Sequence, residues 1–160
     1  MDVFLLRHGE AVREALSDRE RCLTARGQDE LRTILSSCRD ELSRVSHVLV
    51  SPYVRAQQSV RIAAEYLNPP VVPQTTELLV PEASPAKLLD YLQHAHQQEQ
   101  LQSVLLVSHQ PLIGVLLDRL CGFEVGRYRM GTSALAFIET EVAAASMGHL
   151  RWLRQPGNLL

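Results

Sequence analysis

The sequence predicts a three-layer α/β/α sandwich built on a mostly parallel central sheet, with an antiparallel addition near the C-terminus. Three observations carry this. Two short, wholly apolar runs, Val3–Leu6 and Val104–Val107, read as strands buried on both faces. Amphipathic helical stretches lie between the strand-like runs, the alternation that builds a parallel sheet with helices on both sides. The last two strand-like stretches, Ala134–Thr140 and His149–Leu153, have no helix between them and so pair antiparallel.

The first strand runs into Arg7-His8-Gly9-Glu10, and Gly9 permits the turn that lets Arg7 and His8 face one crevice. The charged segment Ala11–Cys22 lacks periodicity and is expected as a loop over the sheet edge, with a helical turn at most. Thr24 is placed to cap a helix whose apolar face is Leu31, Ile34, Leu35, Cys38 and Leu42. A second strand spans His47–Val50, and Ser51-Pro52 is expected to start the next helix, with Ser51 as cap and Pro52 at its first position. That helix carries Val54, Val60, Ile62 and Leu67 and ends before Asn68-Pro69-Pro70, with Val71-Val72 as a short third strand. After an irregular stretch from Glu77, Ser84-Pro85 starts a helix through about His96. Ser103–Ser108 is the next strand, Pro111 opens a helix to about Cys121, and Gly122 stops it. The tail from Gln155 is expected to be loose.

With 160 residues, 46% apolar and 21% charged, the chain is expected to form one domain over 1–160, large enough for a normal core. A net charge of −2 argues against a nucleic-acid-binding surface. Cys22, Cys38 and Cys121 are odd in number and widely spaced, which fits neither a disulfide framework nor a metal pattern. No signal peptide or run of transmembrane length is visible, so a monomer in the cytoplasm is expected, away from membranes. His94 and His96, two apart on a helix, do not face one ligand easily; no metal and no cofactor are expected.

In a parallel sheet the strand ends gather on one edge. Arg7 and His8 from the first strand, Ser51 and Arg55 from the second connection, and His109 from the fourth strand would then surround one small volume. Two guanidiniums and two imidazoles repel one another unless an anion sits among them, and a phosphate is the natural occupant. Each residue alone has a plainer reading, a surface charge or a strand-end histidine; the joint placement argues for a site.

Arg7-His8-Gly9-Glu10, Leu23-Thr24 followed by Gly27, Ser51-Pro52 followed by Arg55-Ala56 and Gln58, and Val107-Ser108-His109 resemble the histidine phosphatase superfamily in order and spacing. The compact length and the Pro-Glu stretch at Glu82 resemble its SixA-type phosphohistidine phosphatases. The resemblance implies that His8 is the nucleophile, forming a phosphohistidine intermediate. Arg7, Gly9, Thr24, Ser51, Arg55 and His109 would bind the phosphoryl group, and His109, if protonated, would add a donor. It also implies a carboxylic acid for the leaving group. Glu82 is the first candidate and Glu77 the second, while Glu10 is expected to shape the first loop.

An alkoxide needs that proton badly; an imidazole, with a reference pKa near 6.5, needs it little. A weakly marked acid therefore fits a phosphohistidine substrate. With little room for a lid between Val72 and Ser103, a shallow open site is expected, suited to a side chain on another protein. In the SixA group that partner is a histidine phosphotransfer domain of a hybrid sensor kinase, and dephosphorylating it damps a phosphorelay. Two other readings stay open: a small-molecule phosphatase or mutase of the same superfamily, and a non-catalytic phosphate-binding interaction module.

Overall fold

A computed structural model describes residues 1–158. Six strands form one sheet in the order β3-β2-β4-β1-β5-β6. They are β1 (Asp2–Arg7), β2 (His47–Val50), β3 (Gln74–Thr75), β4 (Ser103–Ser108), β5 (Leu135–Thr140) and β6 (Gly148–Arg154). The pairs β1–β4, β2–β4 and β2–β3 are parallel; β1–β5 and β5–β6 are antiparallel. The sheet is thus parallel from β3 to β1, and the closing hairpin adds to the β1 edge.

Alternation along β1 feeds two cores. Phe4 and Leu6 pack with α1 (Ala25–Ser36) and α3 (Val54–Ala64) on one face, while Val3 and Leu5 pack with α4 (Pro85–Gln98) and α5 (Leu112–Cys121) on the other. All four are fully buried, as an apolar strand in the middle of a covered sheet requires. Thr24 caps α1 by accepting from the Gly27 N–H at 2.9 Å, and Ser84 caps α4 through the Lys87 N–H at 3.3 Å. Gly122, at φ 69°, ends α5 in the left-handed conformation that glycine tolerates.

Four local expectations are corrected. The first helix does not run unbroken to Leu42. The Ser36 and Ser37 hydroxyls bond back to the Thr33 and Ile34 carbonyls, and the chain restarts after Cys38 as the single turn α2 (Arg39–Leu42). The third strand is Gln74–Thr75, not Val71-Val72; Val72 is 85% exposed. An edge strand of two residues needs only backbone pairing to β2, so apolar, β-branched character is no guide to it. Ser51 does not cap α3. Tyr53 takes that position and Pro52 lies outside the helix, because the Ser51 hydroxyl is engaged elsewhere. The tail is anchored at its start: Gln155 Oε1 accepts from the Gly131 N–H at 2.8 Å, and Gln155 bridges Asn158. Leu159 and Leu160 lie outside the described residues. The helical turn in the Ala11–Cys22 segment is a 3-10 turn, Asp18–Glu20.

Candidate active site

The parallel register brings the motifs together. Arg7 stands opposite Ser108 across β1–β4, and Val50 opposite Val107 across β2–β4. His8, Ser51 and His109 are therefore the first residues past three adjacent strand ends. The His8 N–H donates to the Ser108 carbonyl and the Ser51 N–H to the Val107 carbonyl, each at 3.1 Å, so the ladder continues one step into the site. Behind His8, the Gly9 N–H donates to Ser59 Oγ at 3.0 Å, and that hydroxyl donates to the Arg55 carbonyl at 2.6 Å. Ser59 thus ties the first motif to α3. Gly9 itself lies so close to α1 that a Cβ would stand 2.9 Å from the Gly27 carbonyl oxygen.

His8 is held in one tautomer. Its Nδ1 lies 2.7 Å from the Gly9 carbonyl oxygen, which can only accept, so Nδ1 carries the proton and Nε2 is bare. Nε2 receives the Arg55 Nε–H at 3.2 Å. The imidazole is 6% exposed, and its pKa is lowered to about 3, first by burial and then by Arg55, Arg7 and Arg21, against a raising contribution from the Gly9 carbonyl. A bare, neutral imidazole nitrogen among guanidiniums has the lone pair and the surroundings that attack on an electrophilic anion requires.

His109 faces His8 with ring centroids 5.0 Å apart. Burial first, then His8 and Arg55, lower its pKa to about 3, so the condition of a protonated ring is not met at neutral pH. It can still donate. Ser51 Oγ accepts from the Tyr53 N–H and lies 2.7 Å from His109 Nε2; in the tautomer in which the hydroxyl donates to Nε2, the ring proton is on Nδ1. That Nδ1 is buried and has no partner. Tyr53 packs edge-on against His109 at 4.9 Å and lies beneath the Arg55 guanidinium at 5.0 Å. Arg7 donates from Nη1 to the Met130 carbonyl at 2.8 Å, while its buried Nε has no partner. Burial and Arg55 lower its pKa from the usual arginine value.

Asp18 was not among the sequence candidates. Its carbonyl accepts from Arg55 Nη1 at 2.6 Å and its carboxylate from Arg55 Nη2 at 3.2 Å and Arg21 Nη1 at 3.0 Å. Hydrogen bonding to Arg21, and further to Arg55, holds that carboxyl below the usual range against the opposing effect of burial. With Nε on His8, all three nitrogens of Arg55 are engaged. His8, Arg55 and His109 are buried, and the segment that meets Arg55 comes from before α1. Only its charge marked it in the sequence.

Thr24 reaches the same loop, but its hydroxyl donates to the Glu10 carboxylate at 3.0 Å and caps α1, so Glu10 does shape that loop. Glu77 is ion-paired with Arg19 at 2.8 Å on the surface. The Leu79 carbonyl accepts from Ser108 Oγ at 2.7 Å, which brings the 77–80 turn beside the third motif; Glu82 lies three residues on, exposed. Among the described residues no cluster of His, Cys, Asp and Glu could hold a metal, and no helix is long and apolar enough to cross a membrane.

The sequence profile of the Histidine phosphatase superfamily (branch 1) matches residues 3–79. The chain is 35% identical to the phosphohistidine phosphatase SixA of Escherichia coli (strain K12) over 159 residues, covering 99% of this chain and 96% of that protein. The chain belongs to the histidine phosphatase superfamily. Within it, the chain is a SixA-like phosphatase. A SixA homolog of Haemophilus influenzae is 33% identical over 131 residues, covering 76% of this chain and 78% of that one. The structure of the protein histidine phosphatase SixA complexed with tungstate superposes with a TM-score of 0.90 at 34% identity, covering the whole of both chains. The superfamily fold is the α/β sandwich described above.

Proposed function

We propose that the protein is a phosphohistidine phosphatase in which His8 takes the phosphoryl group from a histidine on another protein. The observation that carries this is the tautomer lock. Gly9 fixes the proton on His8 Nδ1, so Nε2 offers a lone pair toward Arg55 at the strand-end cluster. The incoming phosphoryl oxygens replace Nε2 and Asp18 as acceptors for Arg55 and receive Arg7 and the His109 Nδ1–H. Nε2 then attacks phosphorus as the bond to the leaving nitrogen breaks, with positive groups around the equatorial oxygens. Water attacks the phosphorus on His8 next, releasing phosphate and restoring the neutral ring.

The carboxylates at hand support a nitrogen leaving group. Asp18 is the one bonded to Arg55, and its arginine partners keep it ionised, so it is a poor proton donor. Glu82 is the carboxyl we propose as the acid where one is needed, above all for oxygen esters. Imidazole leaves readily without such help. SixA, the protein that this chain resembles over nearly its whole length, acts on phosphohistidine, which supports the same reading. The partner we infer is a histidine phosphotransfer domain of a hybrid sensor kinase in the cytoplasm, so that turnover damps a phosphorelay.

The test incubates wild type and His8→Ala with a labelled phosphotransfer domain. Loss of substrate label with wild type alone, through a transient acid-labile adduct on this protein, is expected. Binding of the phosphodomain without loss of label would sink the proposal.

A further inference from the structure

A cavity of about 800 Å³ opens beside Arg7, and neither His8 nor His109 lines it. One wall is the outer face of α5, where Pro111, Gly114, Val115 and Asp118 recur at helical spacing. The facing wall is the loop through Val125, Tyr128 and Met130. Gly114 shapes the floor: a Cβ there would stand 2.6 Å from Gln110 Oε1.

The amide and carboxylate groups in these walls are already engaged. Gln110 accepts from the Gly114 N–H and donates to the Met130 carbonyl; Asp118 accepts from the Gly126 and Tyr128 N–H groups; Gln155 accepts from the Gly131 N–H. The cavity is left mainly with apolar side chains, including Val125 at 59% exposure, one tyrosine ring with its hydroxyl, Tyr128, and the guanidiniums of Arg7 and Arg129. Arg129 is exposed and makes no ion pair among the described residues. Such a surface has few groups to meet the hydroxyls of a sugar phosphate. It suits an apolar side chain with a carboxylate beside it.

We propose that this cavity docks the phosphoprotein substrate, receiving an apolar side chain and an adjacent acidic one that flank the phosphohistidine. The proposal rests on the phosphohistidine protein reading above. Two facts point to the occupant: Arg7 lines the cavity and directly precedes His8 in the chain, so a group seated here lies beside the proposed reacting one, and the available charge is positive.

The test compares kcat/KM for wild type, Val125→Glu, Arg129→Glu and Arg129→Lys on two substrates, a phosphorylated histidine phosphotransfer domain and free phosphohistidine. On the phosphodomain, the two glutamate variants are expected to lose about tenfold, mainly through KM, and Arg129→Lys to keep most activity. On free phosphohistidine all four should agree within about twofold, because neither position touches the reacting atoms. An equal loss on both substrates would overturn the proposal in favour of a small-molecule pocket. Unchanged turnover of the phosphodomain by both glutamate variants would overturn it outright. Failure of wild type itself to turn over the phosphodomain would sink the substrate reading and the docking surface together, and needs no variant to detect.

Discussion

Two buried imidazoles facing each other make folding stability depend on pH in a way that can be separated from the rest of the chain. His8 and His109 are 6% and 1% exposed, and both have pKa values lowered from 6.5 to about 3. At pH 7 the rings are essentially neutral in both the native and the unfolded chain. As pH falls below 6.5 the unfolded chain takes up a proton on each ring, while the native protein takes up none until about 3. Stability is therefore lost as pH falls through that window, and the loss stops near its lower end. From pH 7 to pH 5 each ring removes about 2 kcal/mol, or about 4 kcal/mol for the pair. The assay is urea unfolding at pH 5, 6 and 7 in phosphate-free buffer, for wild type, His8→Gln and His109→Gln. Each variant should lose about 2 kcal/mol less than wild type over this range, a difference of about 1 M in the shift of the urea midpoint. Carboxylates elsewhere titrate alike in all three proteins and cancel. Equal pH dependence in wild type and both variants would refute the reasoning, since these rings would then titrate as they do in the unfolded chain.

Asp18→Asn removes a charge that competes for Arg55; with the Asp18 side chain 58% exposed, the gain is at most about 1 kcal/mol, so inhibition by orthophosphate should tighten up to about fivefold. Unchanged or weaker inhibition would show that Asp18 does not compete. Glu82→Gln should leave phosphohistidine turnover within about twofold while slowing an alkyl phosphate ester by about a hundredfold; an equal loss on both would make the acid general. Phe4→Ala removes a ring stacked on Phe137 at 4.6 Å and should cost about 3–5 kcal/mol, read through the fluorescence of Trp152, the one tryptophan. A cost below about 1 kcal/mol would mean that the layer between sheet and α1 closes up around the gap.

What could be read from the sequence was whatever a strand end dictates. His8 and His109 each follow a run of apolar residues, and the parallel ladder alone makes them neighbours. Arg55 follows from the turn between β2 and α3. Asp18 and Arg21 were hidden because their approach to Arg55 depends on how an aperiodic segment folds back, and periodicity says nothing about that. Ser51 misled through a local signal: Ser-Pro is a sound helix start, but the hydroxyl has a partner in His109 that only the register of β2 against β4 supplies. Ser59 carries no signal in the sequence. Its bond to the Gly9 N–H becomes visible only once α3 lies beside the first loop.

The central place of β1 also bears on the order in which the molecule is made. β1 precedes both of its partners in the chain: it pairs on one side with residues about a hundred positions later and on the other with β5, later still. Until those partners leave the ribosome, Val3–Leu6 has no sheet to join, and its apolar residues need cover. His8, the first residue past β1, is thus translated well before Arg55 and His109, which supply its cation and its facing ring. Such distant pairings fold slowly, and a chain stalled before β4 would expose an aggregation-prone strand rather than a half-active phosphatase.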